Sequence, residues 1–195
     1  RLKNKKSRQN SSVQILAIVG LAGSGKSTAA DYMKGQNYPH VYFGGVVLKA
    51  LEDAGLEITP ENEKMMRHKL REDFGQDVII NKIVEQINGL ISAGQKRVIA
   101  DGLYTWTEYK ILKKNFPGQV KVIALVPHKE IRHKRISNRK NRAFSQQEII
   151  DRDYNEIELL EKGGPIAMAD YFIVNKGSEI QTRRKLDKIL REIGF

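Results

Sequence analysis

The stretch "IVGLAGSGKST", residues 18–28, decides the fold. Its Gly20, Gly25, Lys26 and Ser27 fit the spacing Gly-x-x-x-x-Gly-Lys-[Ser/Thr]. Gly20, Gly23 and Gly25 permit a tight, partly left-handed turn and keep Cβ atoms away from a ligand. Residues 20–28 (Gly20, Leu21, Ala22, Gly23, Ser24, Gly25, Lys26, Ser27, Thr28) then present successive N–H groups as an anion nest, and the following helix adds the positive end of its dipole. Lys26 is expected to reach β- and γ-phosphates, with the Ser27 hydroxyl on Mg²⁺. "VQILAIV" (13–19) before the turn reads as a buried parallel strand and "STAADYMK" (27–34) after it as a helix. The stretch therefore predicts phosphate binding. It leaves open which kind of phosphate-handling protein carries it.

Composition narrows the choice. The chain has 195 residues, 40% of them hydrophobic, enough for one ordinary domain with a real core. It has no cysteine, which excludes a disulfide framework, a thiolate zinc site and a cysteine nucleophile. No apolar run approaches membrane-spanning length and "RLKNKKSRQNSS" lacks the apolar core of a secretory signal, so a cytoplasmic location is expected. The net charge is +11. Residues 1–12 hold five Lys/Arg and no acid, which reads as a disordered basic tail. A second basic cluster lies at 128–142. Nucleic acid is a possible partner of such charge, but no basic strand interleaved with aromatics marks an RNA platform, and a phosphate-rich small substrate is favoured.

Working outward, strands are expected at 13–19, 39–43, 96–102, 119–126 and 170–175, each followed by helical patterning. Thr59-Pro60-Glu61 marks a helix start, Thr105 or Thr107 caps another, and Ser145 with Glu148 forms a capping box whose helix runs to about Glu161. Alternation of this kind predicts a three-layer α/β/α domain with a five-stranded parallel sheet, 13–195, and ligands outside the carboxyl ends of the strands. Gly20, Asp101 and Asn175 all fall at such ends. Within that domain, 44–95 is expected to be a helical acceptor-side insertion and 128–145 a helical lid.

A guanine-nucleotide switch needs Asp-x-x-Gly after a strand and an Asn-Lys-x-Asp base motif. Here Gly102 follows Asp101 directly and Asn175-Lys176-Gly177-Ser178 lacks the aspartate. A kinase needs cations around a transferring phosphate. Arg132, Arg135, Arg139 and Arg142 are spaced three, four and three, which places them within roughly 80° on one helix face. The break required before Ser145 leaves Arg139 and Arg142 beside a hinge, as a mobile lid would carry them. Asp101 is the expected Mg²⁺ partner at the strand end beside the cradle. Arg67 and Arg71, at i and i+4, fit either an acceptor phosphate or pairing with Glu63 and solvent. Trp106 fits core or acceptor wall. His40, His68, His128 and His133 show no ligand spacing and are read as surface residues.

The same residues resemble the nucleoside-monophosphate-kinase group of P-loop proteins, over residues 14–193. "ILAIVGLAGSGKST" looks like that cradle. "VIADGLYTWTEYKIL" is similar to the Asp-Gly strand end of adenylate kinases and to phage deoxynucleotide kinases. "LREDFGQDVII" resembles a segment of those deoxynucleotide kinases and of dephospho-coenzyme A kinases, and "ADYFIVNKGS" the end of the latter. "GLEITPENE" and "EIIDRDYNEIE" resemble an archaeal-type family of adenylate-kinase-like proteins. The resemblance implies a P-loop kinase fold, ATP and Mg²⁺ as cofactors, Asn175 and Gly177 near the ATP base, and Arg152 as a post-lid arginine near the transferred phosphate. It implies a monomer or homodimer acting on ATP and a small phosphorylated acceptor. The departures fall at "GGVVLK" (44–49). Gly45 and Leu48 stand where adenylate kinases carry Asp and Arg, and no acid lies between Pro39 and Leu51, where dephospho-coenzyme A kinases carry them. A phosphate acceptor is already anionic and needs no general base, so the missing acids favour a phosphomonoester over a hydroxyl.

Overall fold

A computed structural model describes residues 12–138 and 144–195. Five strands, β1 (Gln14–Val19), β2 (His40–Tyr42), β3 (Arg97–Asp101), β4 (Val120–Leu125) and β5 (Tyr171–Ile173), form one sheet. Its order is β2-β3-β1-β4-β5 and every pair is parallel. The cradle strand β1 is thus central. Ile18 pairs with Asp101 on one side and Ile123 on the other, so the carboxyl ends of β1 and β3 finish level.

The alternation of β1 divides the core. Ile15, Ala17 and Val19 face one layer, containing α2 (Phe43–Asp53), α4 (Val78–Ser92) and α5 (Trp106–Asn115). Leu16 and Ile18 face the other, containing α1 (Lys26–Lys34) and α9 (Glu179–Ile193). Both faces are covered, as a parallel sheet requires. The expected three-layer α/β/α architecture is the one found. α3 (Pro60–Phe74) completes the 43–92 helical segment, and α6 (Lys129–Ser137), α7 (Gln146–Glu158) and α8 (Gly163–Ala167) follow β4.

The expected start signals hold. Thr59 Oγ1 accepts from Asn62 N–H at 3.1 Å, Thr105 rather than Thr107 caps α5, and Ser145 and Glu148 form a reciprocal capping box. Most strand ends shift by one residue, and Phe43 opens α2 where it was expected to close β2; three differences are larger. α7 stops at Glu158, not Glu161, because the N–H groups of Leu159 and Leu160 both turn onto the Asn155 carbonyl and Glu161 adopts φ 49°. α8 is additional, its Gly-Gly-Pro having read as loop. β5 ends at Ile173, because the next two carbonyls are taken by side chains: Val174 by Lys185 Nζ and Asn175 by Arg135.

Candidate functional site

The cradle is a backbone device. α3, α5, α7 and α9 each begin at a Thr or Ser whose side chain accepts an N–H, whereas α1 begins at Gly25 with no side-chain cap. α2, α4, α6 and α8 also lack a side-chain cap; what sets α1 apart is that its uncapped first N–H groups follow a loop with Gly23 and Gly25 at positive φ, an arrangement that suits an anion. Gly23 and Gly25 stand at φ 75° and 94°, and a Cβ on them would come within 2.7 Å of the Arg132 carbonyl and 2.6 Å of Asn175 Nδ2. Side chains other than hydrogen are excluded twice over, by backbone conformation and by space. Lys26 curls over its own loop and donates to the carbonyls of Gly20 (2.6 Å) and Leu21 (3.2 Å). The Ser24 hydroxyl is buried in the same loop without a hydrogen-bond partner.

The helices after β4 grip this loop. Arg132 gives a two-pronged bond to Asp153 (2.7 and 2.7 Å) and a third to the Ala22 carbonyl (3.0 Å). His133 Nε2–H donates to Asp153 Oδ2 at 2.8 Å. Burial alone would raise the Asp153 carboxyl, but the bonds and charges of Arg132 and His133 outweigh it and hold it below the ordinary carboxylate range. Two expectations are corrected here. Arg132 belongs to a buried structural ion pair: three of its five N–H donors are taken by Asp153 and the Ala22 carbonyl, and its side chain does not line the cradle cleft. His133 is 8% exposed, drawn in by Asp153 rather than lying on the surface. Arg135, one turn on, ties the Gly23 carbonyl (3.3 Å) to the Asn175 carbonyl (3.2 Å). Arg139 and Arg142 lie outside the described residues.

A second carboxylate reaches the loop. Glu156 Oε2 accepts from Ala22 N–H at 2.9 Å, while Oε1 faces Lys162 Nζ (3.2 Å) and Arg152 Nε (3.4 Å). Burial pushes Glu156 up, but Lys162, the Ala22 N–H and Lys26 together pull it below its ordinary value. Arg152 lies beside the cradle, in a cleft of about 360 Å³ that is also lined by Arg135, Tyr104 and Lys162.

At the strand ends, Ser27 and Asp101 line one cleft together with Asp31. Asp101 pairs with Lys34 Nζ at 2.9 Å. A hydroxyl and one or two carboxylates beside a phosphate cradle suit Mg²⁺, which keeps waters and borrows phosphate oxygens. On the far side of the cradle, Gly25, Thr28, Arg135, Asn175 and Gly177 line a further cleft. Asn175 is fixed there, donating to the Ser24 carbonyl (3.0 Å) and accepting from Thr182 Oγ1 (2.8 Å).

Arg67 and Arg71 meet in a pocket of about 200 Å³ between α3 and the segment after β3, with Phe43, Val47, Ile79 and Leu160 as apolar walls. Neither forms a salt bridge among the described residues, so the alternative pairing with Glu63 is not adopted. Among the described residues Glu108 is the carboxylate that lines the pocket, and its Oε2 accepts from the N–H groups of Tyr104 and Thr105, both at 3.0 Å. Its burial outweighs these bonds and the pull of Arg71 and raises its pKa. Trp106 does not line the pocket. Its ring stacks on Tyr109, centroids 5.1 Å apart, and rests on Gly164, which makes it the joint between α5 and α8.

Tyr104 borders the cradle cleft, the Asp101 cleft and the arginine pocket alike. Burial, with Tyr42, Asp101, Glu108 and Glu156 adding to it, pushes its phenol up to about 12, so it remains a donor at neutral pH. Sequence reasoning missed Tyr104, Glu156, Lys162 and Asp31. For Asp31 and Glu156 a helical wheel anchored on Ser27 and Arg152, each four residues earlier, was an available signal; Lys162 had none.

Among the described residues no helix is long and apolar enough to cross a membrane. Comparison with known proteins agrees with the geometry. The sequence profile of a family described as "AAA domain" matches residues 19–151, more than half of the chain. A UPF0200 protein of Methanocaldococcus jannaschii is 31% identical over 179 residues, covering 92% of this chain and 90% of its own. Among solved structures, a Thermus thermophilus protein superimposes with TM-score 0.62 at 19% identity, covering 93% of this chain and 98% of that one. A shikimate kinase from Bacteroides thetaiotaomicron does so with TM-score 0.56 at 12% identity over 93% and 99%. These two likenesses show a shared P-loop kinase fold. The chain belongs to the AAA-domain family of P-loop kinase-like proteins and to the archaeal UPF0200 family.

Proposed function

We propose that this protein is an ATP- and Mg²⁺-dependent small-molecule kinase that moves the γ-phosphoryl to a nucleotide-like phosphorylated acceptor, a nucleoside or deoxynucleoside monophosphate. The observation that carries the reading is continuity. The cradle cleft runs on one side into the Asn175 cleft through Gly25, Thr28 and Arg135, and on the other past Tyr104 into the pocket of Arg67 and Arg71. A base, a polyphosphate and a second anion therefore have one connected trough.

In this reading the N–H groups of residues 21–28 and Lys26 hold the β- and γ-phosphates, and Asn175 and Gly177 flank the base. Ser27 and Asp101 hold Mg²⁺, which when bound neutralises β- and γ-oxygen charge. Arg152, with Arg139 and Arg142, neutralises the transferring group. Arg67 and Arg71 hold the acceptor phosphate, one of whose oxygens forms the new bond to γ-phosphorus as the bond to the β-bridging oxygen breaks and ADP leaves. No proton has to be removed from such an acceptor. Among the described residues the carboxylate lining that pocket is Glu108, whose Oε2 is held by two backbone N–H groups. A hydroxyl acceptor such as dephospho-coenzyme A would need a base there.

The test is ADP release from MgATP with each of a panel of nucleoside and deoxynucleoside monophosphates and with dephospho-coenzyme A. At least one monophosphate is expected to raise release well above the level of Lys26→Ala. If none does, the kinase reading fails; if only dephospho-coenzyme A does, the acceptor class is wrong.

A further inference from the structure

Lys162 occupies a place that neither a turn nor a surface lysine explains. It is the residue before α8, and its side chain is 11% exposed although it is charged. Burying an ammonium is costly unless its donors are met. Two groups meet this one: Glu156 Oε1 at 3.2 Å and the face of the Tyr104 ring, 4.7 Å from Nζ to the centroid. An ammonium has three N–H donors, and a single carboxylate oxygen and a ring face leave capacity for a further acceptor.

The position of that charge is set from the cradle. Glu156 uses its other oxygen to accept the Ala22 N–H at 2.9 Å, so one carboxylate links the phosphate loop to Lys162. Lys162 and Tyr104 are the two side chains that border both the cradle cleft and the pocket of Arg67 and Arg71. A plain structural ion pair has no reason to stand at that boundary. A cation that must follow a phosphoryl group from one compartment to the other does, because charge stabilisation acts best where donors are fixed in advance.

We propose that Lys162 is a transfer-site cation that contacts the γ-phosphoryl group as it passes between the two compartments, with Glu156 as its positioning residue. This rests on the kinase reading above. It adds a second lysine to the one in the phosphate loop, drawn from a segment with no motif.

The test compares MgATP with MgADP binding by titration calorimetry, because the two ligands differ only in the group Lys162 is said to touch. Lys162→Gln keeps a donor for Glu156 and removes the charge; Lys162→Met gives the same comparison if the first does not fold. Wild type is expected to prefer ATP, and the neutral variant to lose about tenfold in that preference with ADP affinity unchanged. Lys162→Arg is expected to recover part of it. A lysine that only pins the turn would weaken ATP and ADP together and lower Tm, and that result, or an unchanged preference, overturns the proposal. If wild type binds neither nucleotide, the kinase reading falls and this inference with it. If wild type binds both and the variant is indistinguishable, only this inference falls.

Discussion

The two compartments on either side of Tyr104 are made of different material. The cradle is backbone: N–H groups at the start of α1, glycines at positive φ and one lysine, all within residues 20–28. The arginine pocket is side chains: Arg67 and Arg71 from α3, Glu108 from α5, Leu160 and Lys162 from the turn before α8. A backbone site tolerates few sequences, because a Cβ at Gly23 or Gly25 collides with its surroundings. A side-chain site can be built from any elements that the fold brings together, so its lining can change without touching the sheet. The cradle is held by buried ion pairs, whereas Arg67 and Arg71 of the pocket form no salt bridge among the described residues.

The largest effect is expected in the frame of the cradle. Asp153→Ala leaves the Arg132 guanidinium buried and unpaired, which costs about 3–5 kcal/mol in chemical denaturation. A cost below about 1 kcal/mol would show that the pair is not what holds α6 and α7 to the loop. The same carboxylates set a pH dependence. Asp153 and Glu156 both have folded-state values below the ordinary ones. Their stabilisation is therefore complete above the normal carboxylate range, about pH 4, and is lost as pH falls through the depressed folded values. The difference in denaturation midpoint between wild type and Asp153→Asn should be constant from neutral pH down to that range and shrink below it.

Next comes the cradle itself. Lys26→Ala should lower acceptor-dependent turnover by on the order of 10²–10³ while leaving Tm within a few degrees of wild type, since Lys26 donates to the carbonyls of Gly20 and Leu21 within its own loop. Loss of folding instead would make Lys26 a structural residue. In the pocket, Arg71→Ala should raise the acceptor KM about 10–100-fold with ADP affinity unchanged, a charge-assisted bond having been removed. An equal loss of ADP affinity would mean that the two compartments are not separate. The smallest effect is expected at Thr105→Ala, which removes the cap of α5 beside Glu108 and costs about 1 kcal/mol without altering nucleotide affinity.

The contrast also explains what could be read from the chain. The five strands, the cradle and the caps at Thr59 and Ser145 are local patterns, each complete within a few residues, and the folded chain contains all of them. The roles of Arg132 and Arg135 are not local. Helical spacing puts both on one face, yet Asp153, 21 positions on, makes one a structural pair and leaves the other to bridge Gly23 and Asn175. His133 is buried for the same reason. "EKGGP" reads as a turn, and only Glu156 and Tyr104 give Lys162 its place. Arg67 and Arg71 were visible as a pair, but the wall they face comes from residues 43–47, 104–108 and 160–162, which no spacing joins to them.

The central claim is that phosphate held by the cradle is handed across Tyr104 into the arginine pocket. Following the label from [γ-³²P]ATP in a single turnover, with the monophosphate panel present, tests it most directly. The account predicts label in an organic product, formed in step with ADP and abolished by Lys26→Ala. Label released only as inorganic phosphate, whatever the acceptor, would contradict it.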